Sequence, residues 1–73
     1  MTMLDIETIL ESLSGNFWGS VEEMIEDMEE AGLEVVGNFE EYIAIADDDD
    51  SEWLVYTGRT GSTVWMASFR KFN

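Results

Sequence analysis

The hydrophobic pattern of this chain changes period at Gly32, and that change decides which class of fold is open to it. Before Gly32 the apolar residues recur every three or four positions. Ile6, Ile9, Leu10 and Leu13 share one helical face, and Val21, Met24, Ile25, Met28 and Ala31 share another. After Gly32 the pattern alternates. Ile43 and Ile45 fall on one side of Tyr42–Ala46, and Val64 and Met66 oppose Trp65, Ala67 and Phe69 along Thr63–Phe69. A helical first half followed by strands specifies an α+β domain, with the apolar stripes of the helices laid on the sheet.

The boundaries can be read from local chemistry. The first helix is expected at 3–13, with Thr2 as N-cap, Asp5 three residues on, and Gly15 as the stop. The second is expected at 21–31. Ser20 and Glu23 form a capping box, Gly32 suits the left-handed position after the helix, and Leu33 can pack back on Met28 as in a Schellman motif. Phe17 and Trp18 fall in the connection, where they are expected to cover the core between the helices. Leu33–Val36 is a short apolar run ended by Gly37-Asn38, a turn or bulge signal. Tyr42–Ala46, Trp53–Thr57 and Thr63–Phe69 read as strands, with Asp47–Glu52 a loop and 58–62 a hairpin turn. The expected architecture is two N-terminal helices packed on one face of a three- or four-stranded antiparallel sheet, ααβββ or ααββββ. The 73 residues make one domain, 1–73.

Charge is the outlying property. Seventeen acids face three bases, for a formal net charge of −14. All seventeen acids lie in 1–52, which holds no base, and Arg59, Arg70 and Lys71 lie in 53–73, which holds no acid. Such a chain repels itself and repels polyanions. Direct binding to DNA, RNA or an anionic membrane is disfavoured, because nothing here replaces phosphate counterions over a wide surface. A basic protein is the natural complement. The apolar fraction of 45 % is too high for simple disorder.

Other classes are removed by what is missing. There is no cysteine and no histidine, so disulfides and the usual zinc ligands are absent, as are the commonest catalytic base and the best nucleophile. Some pair among seventeen carboxylates will always lie close, so a carboxylate pair carries no information. The expectation is a protein that is not an enzyme, with no catalytic residue, metal or cofactor. Asp47, Asp49 and Ser51 have the spacing of a calcium loop, but its required Gly is Glu52 and its final Glu is Gly58. The turn at 58–61 lacks the phosphate-loop pattern. No run reaches the roughly 18–20 apolar residues of a membrane span. Met1–Leu13 has no basic n-region and does not read as a signal peptide, so the cytoplasm is the expected compartment.

The second helix is the most informative element. Glu22, Glu23, Glu26, Asp27, Glu29 and Glu30 occupy every position outside its apolar stripe. Glu22–Glu26–Glu30 and Glu23–Asp27 are like-charge pairs one turn apart, each costing about 0.2–0.5 kcal/mol. An ordinary solvated helix would mix in lysine. From residue 22 to 30 a helix rises about 12 Å, so six acids give about one charge per 2 Å, beside about one per 1.7 Å of duplex DNA. A second acidic group lies at Asp47, Asp48, Asp49, Asp50 and Glu52, with Glu40 and Glu41 upstream. These two groups are the candidate partner-binding residues. Trp53 and Tyr56 fall on opposite faces of one strand and Trp65 and Phe69 share a face of the next; an exposed aromatic sheet face would anchor a partner or a dimer.

In size, charge and helix-plus-sheet pattern, carried by the acids of 22–30 and 47–52, the chain resembles the small acidic inhibitors of phages and mobile elements, anti-CRISPR proteins of the DNA-mimic kind. The resemblance rests on no motif, and no residue is carried over from it. It implies a protein, monomer or homodimer, in the cytoplasm of an infected or host bacterial cell. Its partner would be a CRISPR effector subunit whose basic nucleic-acid channel it occupies, blocking target DNA. The alternatives are an acidic immunity protein or antitoxin against a basic nuclease, a halophile-adapted interaction domain, or a subunit that uses its aromatic sheet face.

Overall fold

The structure is a computed structural model and describes residues 5–47 and 51–72. In chain order the elements are α1 (Ile6–Leu13), β1 (Phe17–Trp18), α2 (Val21–Glu30), β2 (Glu34–Asn38), β3 (Tyr42–Ala46), β4 (Glu52–Thr60) and β5 (Thr63–Phe72). The strands form one curled antiparallel sheet in the order β1-β5-β4-β3-β2. The fold is α+β as the periodicity requires, but the sheet has five strands, not three or four. The apolar run at 33–36 leads into a true strand, Glu34–Asn38, which continues through Gly37-Asn38 by way of a bulge, and Phe17–Trp18, expected to be a connection, pairs with the outer edge of β5 at Trp65 and Val64.

The helices start where side chains satisfy their free amides. Asp5 caps α1, its carboxylate accepting from the Thr8 amide at 3.4 Å and the Thr8 hydroxyl at 2.7 Å. Thr2, the expected cap, lies outside the described residues, and the helix begins at Ile6 rather than at 3. Ser20 caps α2, its hydroxyl accepting from the Glu23 amide at 3.2 Å. The end of α2 is the expected Schellman motif. Gly32 has φ +101°, its amide donates to the Glu29 carbonyl, and the Leu33 amide donates to that of Met28, both at 3.0 Å. Leu33 and Met28 are buried together.

β1 and β2 are the two sheet edges and α2 connects them, so α2 must cross one face of the sheet. On that face lies the core. Ile6 and Leu10 of α1 and Met24 and Met28 of α2 pack with Trp18, Leu33, Ile43, Ile45, Val55, Val64 and Met66. Each such side chain contributes about 1.5–3 kcal/mol on burial.

A bulge decides which residues join them. Tyr56 pairs with Ser68, but Thr57 pairs with Met66, leaving Ala67 as the extra residue. Strict alternation puts Phe69 beside Trp65. The bulge instead turns Phe69 to the core side, where it packs near Trp53 at a 6.1 Å ring separation. A second bulge, at Val36 of β2, keeps Val35 against the core and leaves Val36 exposed.

Candidate functional site

The helix layer carries the acids. With Met24 and Met28 turned inward, Glu22, Glu23, Glu26, Asp27, Glu29 and Glu30 are all exposed. None of the six is ion-paired to a lysine or arginine among the described residues, and the last turn of α2 holds no base. Glu7 and Glu11 of α1 are exposed in the same layer. They were not among the candidates read from the sequence. Their signal was there, in positions outside the apolar face of the first helix, but nothing local shows that the two helices share a layer.

One of the six acids also has work inside the fold. The Asp27 carboxylate accepts the Trp18 indole N–H at 2.6 Å, tying α2 to β1. The remaining five reach outward.

The second acidic group divides. Asp47 is half-buried, accepts the Trp53 indole N–H at 2.9 Å, and lies 3.6 Å from the Lys71 ammonium. Its charge is thus countered within the fold. Its amide donates to the Ser51 carbonyl at 3.0 Å, closing the loop between β3 and β4. Asp48, Asp49 and Asp50 lie outside the described residues. Glu52 is exposed, but its register with Phe72, next to Trp53 of the core side, points it to the face away from the helices. The pairing of Glu34 with Ala46 sets the C-terminal end of α2 and Asp47 at the same end of the sheet. The structure therefore brings the base of the acidic loop near the end of the helical stripe and separates Glu52 from it.

Among the described residues no helix covers the opposite face of the sheet, which holds six of the nine aromatic residues, Phe17, Phe39, Tyr42, Tyr56, Trp65 and Phe72, with Ala44 and Leu54 buried on it. Phe17 is 70 % exposed, Phe39 54 % and Phe72 49 %. Their contacts form a row. Phe39 meets Tyr42 at 4.9 Å between centroids, and Tyr42 meets Tyr56 at 5.9 Å. Arg70 lies over Tyr56 at 5.9 Å and over Phe72 at 5.8 Å, and its Nε donates to the Tyr56 hydroxyl at 3.3 Å. Phe17 stands edge-on to Trp65 at 6.3 Å. Trp65 lies flat on Gly58, where an added Cβ would come within 2.5 Å of the indole, and Phe39 covers Gly37 in the same way. Two glycines make room for two rings, which is why the row lies close to the sheet.

A shallow cavity of about 400 Å³ opens at the start of α2, with Ser20, Glu22 and Arg59 in its wall. Among the described residues no cluster of three or more metal-ligating side chains occurs, and every buried side-chain nitrogen or oxygen has a hydrogen-bond partner. Asp5 has a carboxyl held below the ordinary aspartate range, chiefly by the Thr8 hydroxyl and then by the Thr8 amide, which is the electrostatics of a helix cap. Among the described residues no helix is long and apolar enough to cross a membrane.

No family model, curated protein or solved structure matches the chain.

The described residues present two distinct surfaces. One is an unpaired acidic helix layer. The other is an aromatic sheet face around one arginine.

Proposed function

We propose that this protein is an inhibitor that binds the positively charged nucleic-acid-binding surface of another protein, acting as a mimic of DNA or RNA. The observation that carries this reading is the set of exposed carboxylates on α2, none ion-paired to a lysine or arginine among the described residues, held at the helical spacing on an element packed into the core. Their mutual repulsion costs stability, and a basic partner removes that cost. Glu22, Glu23, Glu26, Glu29 and Glu30 are the central contacts, with Glu7 and Glu11 of α1 as further acids of the helix layer. Asp27 adds charge while holding Trp18.

The partner best suited to such a stripe is a basic channel that holds a nucleic-acid backbone. A CRISPR effector blocked from its target DNA is the favoured case, with the protein acting in the cytoplasm of a bacterial cell. A basic nuclease neutralised by an acidic immunity protein or antitoxin would use the same contacts. Binding of this kind is fast and weakens steeply with salt.

The test is competition. Labelled duplex DNA held by a purified effector or nuclease is titrated with this protein at low salt. Displacement that is lost when the α2 acids are neutralised supports the reading. DNA that stays bound with the protein in excess overturns mimicry for that target.

A further inference from the structure

We propose that the open aromatic face of the sheet is a homodimer interface, so that two copies pair sheet to sheet and present their acidic helix layers outward. This goes beyond the inhibitor reading and does not depend on it, because it concerns the protein alone.

Composition points to an interface. The core of a protein–protein contact is enriched in Trp, Tyr, Phe and Arg and depleted in acids. That describes the row of Phe39, Tyr42, Tyr56, Arg70 and Phe72 with Trp65 beside it. The molecule measures 39 × 23 × 16 Å, so the rectangle bounding its broad side, on the order of 900 Å², sets an upper limit that reaches the about 800 Å² per partner of a standard interface.

The local charge pattern of this face suits a second copy, against the overall repulsion of two chains of charge −14. Arg70 lies inside the face, one register step from Glu52, while Glu34 and Glu52 sit at its rim. A two-fold pairing brings each Arg70 to the other copy's rim carboxylates, a self-complementary pattern. It is also the approach by which two chains of charge −14 avoid facing acidic helices. With the sheets in contact the helix layers lie on the two outer sides. Each molecule is 16 Å through its shortest dimension, and the Debye length is about 8 Å at physiological salt but about 30 Å at 0.01 M.

That geometry gives the dimer a salt dependence opposite to that of target binding. Added salt screens the distant acids and leaves the apolar contact intact. Dimerisation should tighten on the order of tenfold or more between about 0.01 M and 0.15 M salt, while binding of a basic partner weakens.

Sedimentation equilibrium on the full chain tests this, at protein concentrations up to about 1 mM, the weak end of association. The expected mass is twice 8.3 kDa, approached at lower concentration as salt rises. Phe39→Ser with Phe72→Ser should return the monomer, with circular dichroism confirming the fold. Phe17→Ser, at the most exposed ring, is the second variant should the first unfold. A wild type that stays monomeric throughout, or a dimer untouched by folded ring variants, overturns the proposal. So does a monomeric wild type whose ring variants lose a basic target, which would assign the face to that target. Competition for DNA can succeed or fail separately from each of these results.

Discussion

Replacing Glu26, Glu29 and Glu30 by glutamine should make the protein more stable and a weaker inhibitor. The substitution keeps shape and helix propensity and spares the Asp27 carboxylate that holds Trp18. It removes the repulsions Glu22–Glu26 and Glu26–Glu30, at about 0.2–0.5 kcal/mol each. It also removes two charges from the negative end of the helix dipole, where each costs about 0.3 kcal/mol or more at low salt. Together the gain is about 1–1.5 kcal/mol. For a domain of this size that raises Tm by roughly 5–10 °C. Thermal unfolding followed by circular dichroism at low salt measures it, and the gain should shrink as salt screens the charges. An unchanged or lowered Tm at low salt would refute the reasoning. The acids would then carry no excess cost, and the main ground for giving them a function would go.

Two further outcomes follow from single contacts. Asp27→Ala strands the buried Trp18 indole N–H and should cost about 1–3 kcal/mol, read as a lower urea midpoint at constant slope; Asp27→Asn keeps an acceptor and should lose clearly less. The Asp5 carboxyl should titrate below the ordinary aspartate range in a carbon-detected NMR titration, and Thr8→Val should return it toward that range. Because its folded value is lowered, the contribution of Asp5 to stability is present above the unfolded value and is lost as pH falls through the folded one.

How far the sequence could be read depended on where each decision was made. The whole of α2 was legible, because its cap, its stripe and its Schellman end are local: Ser20, Met24 and Met28, Gly32 and Leu33 each act within a turn or two. β1 was not. Two residues have no period, and Phe17–Trp18 is a strand only because the edge of β5 is there to pair with it. The cap of α1 is missed: the sequence pattern points to Thr2 as the cap with Asp5 inside the helix, whereas Asp5 is itself the cap, accepting from the Thr8 amide and hydroxyl. The aromatic row was half legible. Tyr56 and Trp65 could be placed on faces by alternation, but the bulge at Ala67 moved Phe69 across the sheet, and a bulge is a property of the pair of strands. The acidic site was legible as composition and spacing. That Asp47 is engaged by Trp53 and Lys71, and that Glu52 turns to the aromatic side, are consequences of register, which the chain sets only once folded.

The central claim is that the helix layer is a binding face for a surface that otherwise holds nucleic acid. The most direct measurement is displacement of labelled duplex DNA from a CRISPR effector or basic nuclease, with wild type and the Glu26→Gln, Glu29→Gln, Glu30→Gln variant side by side at low and physiological salt. Displacement by wild type that falls with added salt and is weakened at least about tenfold in the variant, a loss of about 1.4 kcal/mol of binding, is the expected result. Equal displacement by both proteins would place the interface elsewhere, and DNA left bound by excess wild type at low salt would contradict mimicry for that target.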